Sequence, residues 1–469
     1  MNPTPHDPSV ACSRVPLVEF ESGSRLTSFA GLVLFQRLFL ALGLVGRLRP
    51  CFTHLKPRLY QHGRVVLLLV VHLLLGFRRL AGIEYYRGDP LVRRVVGFSQ
   101  LPSTSTLTRV LQDMDEPAVV ALRGVNRDLV LERLKTEGLA RVTLDLDGSV
   151  QSTKGRVEGT AVGFNKKRKG ARSYWPLYCT VAQTSSILDV LHRPGNVHDS
   201  NGAQDFILEL VRQLRVRMSR PPIIESRMDG AFFDHKLLSA LDDAGVDFTC
   251  SVPFRRLADL KRIIEAAEHW TRLNKRWDSA GTDYLPISWS GLKGKVRFVL
   301  YRQRCHNQRK QVLPARRQLD LFLPDETEYE YKVVVTNRRA DSAHALLAFH
   351  NGRGAQEKLF GEANQHSALN VIATLGLHGN QIFNLAAAIA HNLGRELQMA
   401  TTKRSPNRAL KRTRPALWRF AELGTLRQRL LHRAGRLTRP QGRDLLTMAA
   451  NEATKRDFAA LSVSCSKAA

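Results

Sequence analysis

The order of strand-like and helix-like segments between residues 140 and 254 constrains the fold of this 469-residue chain more than any other feature. ARVTLDLDGSVQST (140–153) alternates apolar and polar residues, which predicts a strand. WPLYCTVAQ (175–183) and SILDVLHRP (186–194) predict two more strands joined by a short polar turn. The following segments predict a helix, a strand, a helix and a strand, at 201–216, 221–229, 234–245 and 246–254. This β-β-β-α-β-α order indicates a mixed α/β fold rather than a plain βαβ repeat.

Changes in composition and periodicity divide the rest of the chain into predicted segments. Residues 23–135 are rich in Leu, Val and Arg, with apolar positions at helical spacing, which predicts several helices. Two strand-like runs, at 296–304 and 328–337, predict a β-rich insertion, and residues 343–399 again show a helical pattern. We therefore predict six segments: a flexible tail (1–22), a helical N-terminal domain (23–135), the first part of an α/β core (136–254), a β-rich insertion (255–342), the last helices of the core (343–400) and a basic C-terminal region (401–469).

The net charge is strongly positive and indicates a polyanionic partner. Lys and Arg number 71 against 42 Asp and Glu, which gives a formal charge of +29. Hydrophobic residues make up 43% and charged residues 24%, which excludes disorder over most of the length. The tract 401–445 holds 13 Lys and Arg against two acids, a composition typical of a solvated arm or of a nucleic-acid contact. A basic surface of this kind attracts nucleic acid or anionic lipid.

Neither a membrane span nor an extracellular location is indicated. The most apolar stretch, 65–77, is too short to span a bilayer and contains His72, so it predicts a buried helix. The opening segment MNPTPHDPSVACSRVP lacks the basic start and apolar core of a secretory signal. The six cysteines form no CxxC pair, which suits a reducing cytoplasm better than a disulfide framework.

Three acidic residues stand where a metal-dependent phosphoryl transfer would need them. Asp147 lies in the first predicted strand, Asp229 ends a later strand, and Glu357 falls near the start of a helix. Carboxylates from two strand ends and a facing helix can converge on two Mg²⁺ ions, which would stabilise the attacking and leaving oxygens at phosphorus. Taken singly, each acid is more readily explained by chance or by an Asp-Gly turn.

Other acids and histidines compete for these roles. Asp145 lies two residues before Asp147, so their side chains share one face of the strand, and Asp145 is the alternative first acid. Glu362 is the weaker alternative to Glu357. His192, His198 and Asp199 resemble zinc ligands superficially, but no Cys lies near them, and a turn that shapes the strand end is the favoured interpretation.

In combination the motifs resemble those of DDE transposases of bacterial insertion sequences, in the branch with a β-rich insertion before the third acid. The resemblance covers roughly residues 25–400. The segments that carry it occur in the family's order: YRGDPLVRRVVG, LPSTSTL, LDLDGS, RPGNVHDSNGA, RMDGAFFDHKLL, VVVTN and NGRGAQE. It implies an RNase H-like catalytic core with the insertion, behind an α-helical N-terminal DNA-binding domain.

The resemblance also implies function. The catalytic and metal-binding trio would be Asp147, Asp229 and Glu357, at intervals in the numbering of 229 − 147 = 82 and 357 − 229 = 128, with Mg²⁺ as cofactor and Mn²⁺ as a substitute. The activity would be metal-dependent cleavage and strand transfer in cut-and-paste transposition, by a homodimer on terminal inverted repeats and target DNA, at the bacterial nucleoid. The alternatives are an RNase H-like nuclease or resolvase without strand transfer, and a catalytically decayed DNA-binding repressor.

The family's signature around the third acid is partly present. It has Tyr, two residues, Arg, three residues, Glu, six residues and Lys; Arg353 and Glu357 match it. His350 stands at the Tyr position and Asn364 at the Lys position, so the local DNA contacts differ. Arg353 would clamp a phosphate, because its planar fork suits bidentate recognition.

Further DNA contacts are expected from basic and aromatic residues. Lys166, Lys167 and Arg168 lie in a Gly-rich turn that could grip the DNA backbone or be a solvated loop. Arg109 lies on a short helix that Ser103 or Thr104 would cap, in a pattern like that of a recognition helix or of a plain surface helix. Trp289 could stack on a flipped base, although core packing is the commoner role of such a residue.

Overall fold

A computed structural model describes residues 25–163, 165, 168–304, 329–404, 416–449 and 451–467. Its helices are α1 Leu32–Ala41, α2 Leu44–Leu48, α3 His62–Leu74, α4 Pro90–Val96, α5 Thr104–Gln112, α6 Glu116–Glu137, α7 Ala203–Arg217, α8 His235–Asp243, α9 Ala258–Glu265, α10 Ala343–Asn351, α11 Gly354–His366, α12 Leu377–Thr401, α13 Leu423–Leu426 and α14 Glu452–Lys467. Short 3₁₀ turns lie between several of them.

The strands are as follows: β1 Leu26–Thr27, β2 Arg141–Gly148, β3 Gln151–Ser152, β4 Ala161–Val162, β5 Arg172–Tyr174, β6 Leu177–Val181, β7 Ser186–Leu191, β8 Ile223–Met228, β9 Asp247–Ser251, β10 Thr271–Arg272, β11 Trp277–Thr282, β12 Arg297–Arg304, β13 Tyr329–Thr336, β14 Gly435–Thr438 and β15 Leu445–Met448. Nine of these strands form the central sheet, in the order β10-β11-β12-β13-β9-β8-β2-β6-β7.

The middle of this sheet has the predicted RNase H-like topology. Strands β7, β6 and β2 are antiparallel neighbours, and β2, β8 and β9 are parallel neighbours. The central strand β2 is buried over Val142–Leu146, because helices cover both faces of the sheet. The prediction of a mixed α/β core is therefore confirmed.

The predicted insertion is rich in strands, and these strands extend the core sheet. Strand β13 pairs antiparallel with the core strand β9, and β12, β11 and β10 follow in order. The sequence pattern found β12 and β13 but gave no sign of their pairing with the core. Pairing of this kind joins residues that are distant in the chain, such as Cys250 and Val335, so local periodicity does not contain it.

Helix α12 joins the helical N-terminal domain to the sheet. It is buried along almost all of its length and packs against α3, α6 and β7. The side chain of Asn392 accepts a hydrogen bond from Ile187 N and donates one to Ile187 O, each at 2.8 Å. Because β7 is an edge strand, this amide satisfies backbone groups that a sheet edge otherwise leaves open.

The N-terminal domain is built around α3. Its apolar residues Val65–Leu74 are all buried, which confirms that this stretch is a core helix. His72 is buried as well and bonds the Tyr86 hydroxyl and the Arg79 carbonyl. Among the described residues, the helices are all too short or too polar to cross a lipid bilayer.

Part of the basic C-terminal region packs against the rest of the chain, which differs from the solvated arm that was one of its two expected forms. Strands β14 and β15 form a small sheet with β1 near the start of the chain. Arg427 is buried and donates to the carbonyls of Leu74 at 2.7 Å and Leu73 at 2.6 Å, and also to the carbonyl of His366. These carbonyls end α3 and α11, so one arginine of the basic region caps two helices.

We expect Arg427→Met to lower the free energy of unfolding by roughly 2–4 kcal/mol, because it leaves buried carbonyls without donors. Arg433→Ala is the matched control, since Arg433 is only partly buried and its side chain donates to the single carbonyl of Arg429. Denaturation by urea measures both changes. Equal stability of the two variants would contradict the capping role of Arg427.

Candidate active site

Two of the three candidate acids lie at the carboxyl ends of neighbouring parallel strands, Asp147 within β2 and Asp229 directly after β8. Strand β2 pairs with β8 from Arg141–Ile223 to Asp145–Arg227, at a constant offset in the numbering of 223 − 141 = 82. Asp147 and Asp229 differ by the same 82, so they are the next pair on this face. Parallel strands lie about 4.8 Å apart. The structure therefore brings the first and second acids side by side at the carboxyl ends of the two strands.

The pair of residues two positions earlier on the same two strands, Asp145 and Arg227, shows how Asp145 differs from Asp147. Asp145 is buried, and its two carboxylate oxygens accept hydrogen bonds from Arg227 Nε and Nη2, each at 2.6 Å. In this bidentate geometry one guanidinium engages both carboxylate oxygens. Asp147 lies closer to the strand end and retains partial exposure. Asp145 is therefore a structural residue, and Asp147 is the candidate first acid.

The Asp145–Arg227 pair also fixes the helices that carry the third acid. Arg227 Nη1 donates to the carbonyl of Phe349 at the end of α10, at 3.1 Å. Gln356 Nε2 in α11 donates to the Asp145 carbonyl at 2.8 Å. Between them, Gly352 lies so close to Arg227 that a Cβ there would overlap the guanidinium. The junction of α10 and α11 thus packs directly on the buried ion pair.

Arg353, at this junction, lies between the first and third acids. Its Nη1 is 3.5 Å from Asp147 Oδ2, and its Nη2 is 3.8 Å from Glu357 Oε1. Glu357 is mostly exposed, whereas Asp147 is mostly buried. Burial raises the pKa of Asp147 to about 7; Arg353 opposes this rise, and the carboxylates of Asp229 and Asp199 add to it. The site therefore concentrates negative charge that a cation relieves.

Asp199 is a neighbour of the site that the sequence did not assign to it. Its Oδ1 accepts a hydrogen bond from Trp175 Nε1 at 2.6 Å and forms an ion pair with Arg193 at 3.0 Å. Both Trp175 and Asp199 lie against Gly148, where a Cβ would overlap them. The expected role of residues 192–199 as a turn that shapes the strand end agrees with this packing. A glycine is needed at position 148 because nothing larger fits.

The oxygen ligands of this site suit a hard divalent cation, but the ligands are not gathered around one point. Among the described residues, three or more His, Cys, Asp or Glu side chains nowhere converge closely enough to hold a metal ion. At the candidate site Arg353 stands between the carboxylates of Asp147 and Glu357. Carboxylate oxygens are the protein ligands that Mg²⁺ prefers. The donor chemistry therefore fits, and Arg353 would have to move aside for a shared cation.

Glu362, which competes for the role of third acid, and His350, which departs from the signature, both have structural roles. Glu362 is buried, pairs with Arg395 and accepts a hydrogen bond from Leu423 N at 3.1 Å. It thereby ties α11 to the C-terminal region. His350 is buried, and its ring nitrogens contact Ser251 Oγ at 2.8 Å and Thr249 Oγ1 at 3.0 Å. Burial keeps the pKa of His350 well below its usual value, so the ring is neutral.

The residues expected to contact DNA differ in their exposure to solvent. Arg109 on α5 and Arg168 in the loop before β5 are exposed, and Ser103 caps α5. Lys166 and Lys167 lie outside the described residues. Trp289 is only 6% exposed and packs on Phe233, with ring centroids 4.6 Å apart. The expectation that Trp289 stacks on a flipped base is therefore corrected: its ring belongs to the core.

A family profile described as "Transposase DDE domain group 1" matches residues 11–467. This chain belongs to that family. It is thus a transposase with a DDE domain, and DNA transposition is its general function. Enzymes of the family usually use a divalent metal ion. The match includes most of the basic C-terminal region, which agrees with the packing of that region against the rest of the structure.

Solved structures of transposases resemble the chain distantly. One is described as "Cryo-EM structure of piggyBac transposase synaptic complex with hairpin DNA", with 10% identity, a TM-score of 0.43, and coverage of 78% of this chain and 74% of that one. Another is described as "Crystal structure of a pre-cleavage Mos1 transpososome", with 13% identity, a TM-score of 0.16, and coverage of 36% and 57%. Among curated proteins no sequence matches this chain.

Arg227 is the residue of the site that sequence reasoning missed. A signal for it exists, because Arg227 follows Asp145 at the same interval that separates Asp229 from Asp147. If the two strands are parallel neighbours, an Asp and an Arg separated by this interval lie opposite each other and can form an ion pair. Residue type alone gave no such hint in a chain with so many arginines.

We expect Arg227→Met to lower the free energy of unfolding by roughly 3–5 kcal/mol, because it leaves the carboxylate of Asp145 buried without a partner. The double variant Asp145→Leu with Arg227→Met removes both charges and should recover a large part of this loss. A double-mutant cycle in urea measures the coupling. Additive effects of the two substitutions would show that the pair does not act as a unit.

Proposed function

We propose that this transposase cleaves and joins DNA by a cut-and-paste mechanism, with Asp147, Asp229 and Glu357 as its catalytic trio. The observation that carries the proposal is the placement of Asp147 and Asp229 at equivalent ends of β2 and β8, with Arg353 reaching from Asp147 to Glu357. A carboxylate of raised pKa beside other carboxylates, as Asp147 is, is typical of functional sites. The family membership supports the same assignment.

The trio would hold Mg²⁺, or Mn²⁺ in its place, through carboxylate oxygens. Such ions supply activation of the nucleophile and stabilisation of the leaving oxygen in phosphoryl transfer. The chain's own contribution is positioning, because β2, β8 and α11 fix the three side chains relative to one another. Arg353 would exchange its carboxylate contacts for the non-bridging oxygens of the scissile phosphate, which its planar fork matches.

The proposed chemistry consists of in-line displacements at phosphorus. Water attacks a phosphodiester at each transposon end, the P–O3′ bond breaks, and a free 3′-OH and a 5′-phosphate result. That 3′-OH then attacks a phosphodiester of the opposite strand, which forms a hairpin end and releases the flanking DNA. Water opens the hairpin and restores the 3′-OH, which attacks a phosphodiester of the target, so one bond forms for each that breaks. The same carboxylates would serve every step, because the geometry at phosphorus is the same.

The proposed partners are the terminal inverted repeats of the element and target DNA. Two ends must be held together before joining, so we propose a homodimer in the synaptic complex. Arg109, Arg168, Lys166 and Lys167 are the proposed contacts to the DNA backbone outside the catalytic site. We propose that the protein acts in the bacterial cytoplasm, on the nucleoid.

Replacement of the trio tests the catalytic assignment. We expect Asp147→Asn, Asp229→Asn and Glu357→Gln each to reduce strand cleavage by more than about a hundredfold and to leave DNA affinity almost unchanged, because positioning and charge at phosphorus are lost. Gel assays with Mg²⁺ and a duplex carrying the inverted repeats that flank the gene measure cleavage. Asp205→Asn is the control, since Asp205 is an exposed acid on α7.

Wild-type protein that binds these ends and leaves them uncut would contradict the proposal and favour a decayed repressor. Cleavage that survives in any of the three variants would remove that residue from the trio.

The fate of the 3′-OH separates a transposase that joins DNA from a nuclease that only cuts. We expect pre-cleaved ends with a free 3′-OH to be joined to a supercoiled plasmid in the presence of Mg²⁺, and ends with a 3′-dideoxy terminus to remain unjoined. Sequencing of the junctions should find short target duplications of constant length. Cleaved ends without any joined product would favour the nuclease without strand transfer.

A further inference from the structure

A basic groove lies at the N-terminus of α3, in the N-terminal domain. Its volume is about 640 Å³, and its walls come from α2, from the 53–58 loop and from the first turn of α3. Helix α3 spans 13 residues, and the side chain of its N-cap residue, Gln61, makes no capping hydrogen bond. The first-turn N–H groups therefore lack the side-chain acceptor that helix N-termini usually have. An anion can take that place.

Three arginines line this groove: Arg49, Arg58 and Arg64. Arg58 forms a bidentate pair with Asp113, at 2.8 Å and 2.7 Å, which neutralises the nearest acid. Arg64 donates through Nη1 to the Val96 carbonyl at 3.2 Å, and it pairs with no carboxylate of the residues that the structure describes. Arg49 is exposed, and its side chain makes no hydrogen bond or ion pair with any residue that the structure describes. The groove thus retains two positive charges.

One ring nitrogen of a buried imidazole in the same groove has no partner within hydrogen-bond distance among the described residues. The side chain of His62, the first residue of α3, is 4% exposed and lines the groove. Its Nε2 has no partner within hydrogen-bond distance among the described residues; the closest carboxylate oxygen, Asp113 Oδ2, is 3.6 Å away. Buried polar atoms without partners are rare and point to a missing ligand. A phosphate oxygen would accept a hydrogen bond from this nitrogen.

We propose that this groove binds a phosphate of the DNA backbone, with Arg49, Arg64, His62 and the first-turn N–H groups of α3 as its donors. The inference rests on the proposed function, since it takes DNA as the occupant. The ligand class follows from the donor set, which combines guanidinium groups, an imidazole and a helix N-terminus. A duplex is favoured over a small phosphate because the exposed Arg109 on α5 precedes Asp113 by one helical turn, which extends the basic surface beyond the groove.

Equilibrium binding of the full-length protein to a labelled duplex, without divalent ions, tests the proposal. We expect Arg49→Ala to weaken binding about fivefold and Arg49→Glu more than about twentyfold, with Arg49→Lys close to wild type. The slope of log K against log salt should become shallower by about one for each phosphate interaction that a substitution removes. The thermal midpoint should stay unchanged, because the Arg49 side chain bonds no described residue.

Arg220→Ala is the matched control. Arg220 is equally exposed, and it precedes β8 at the end of the sheet opposite to Asp229. Equal effects of the Arg49 and Arg220 substitutions on affinity and on the salt slope would overturn the proposal, because they would reflect net charge alone.

Two further probes separate the possible sources of the phosphate. Inorganic phosphate and ATP, each at millimolar concentration, should compete weakly with the duplex. If ATP instead binds at micromolar concentration and Arg49→Ala abolishes that binding while DNA affinity is unchanged, the groove is a nucleotide site and the proposal of a DNA phosphate is wrong.

The cleavage assay distinguishes failure of this inference from failure of the proposed function. If Arg49→Glu binds and cleaves terminal repeats like wild type, the groove does not bind DNA and the catalytic proposal stands. If the wild-type protein fails to bind duplex DNA at all, both proposals fall together. Reduced binding with normal cleavage at saturating protein supports the groove as a binding site away from the chemistry.

Discussion

The buried ion pair between Asp145 and Arg227 is the constraint on which the site depends. It links the two parallel strands that carry Asp147 and Asp229, and it donates to the end of α10. An ion pair in the core costs desolvation energy, which short bidentate hydrogen bonds offset only in a fixed geometry. Because that geometry is fixed, the α10–α11 junction has one position relative to the strands. The third acid is thereby placed by an interaction in which it takes no part.

The charge of the candidate active site follows from this arrangement. The fold brings Asp147, Asp229 and Asp199 close enough to raise the pKa of Asp147, and Arg353 is the nearby cation that opposes the rise. Carboxylates held this close repel one another, so the protein gains when a cation lies among them. Arg353 provides a monovalent counter-charge from within the chain.

The many arginines of the chain have different structural roles, and composition alone does not distinguish those roles. Arg427 lies in the basic C-terminal region yet is buried and caps the ends of α3 and α11. Arg49 belongs to the N-terminal domain and is exposed in an open groove. A guanidinium with five donors can satisfy several carbonyls in the core as well as a phosphate at the surface. Burial decides which role applies.

The sequence by itself determined the elements and the identity of the charged residues near the strand ends. Alternation of apolar residues predicted β2, β6 and β7, and a capping Ser103 predicted α5, because these patterns are set by neighbours in the chain. Asp147, Asp229 and Glu357 were selected as candidates from their places in or at the end of predicted strands and near a helix start, together with the family resemblance. Only the tertiary structure decided which of two aspartates is engaged by Arg227, that Trp289 belongs to the core, and that the C-terminal region packs on α3. Each of these depends on residues far apart in the chain. Local periodicity reports which face of an element is apolar, but it does not report which element will cover that face.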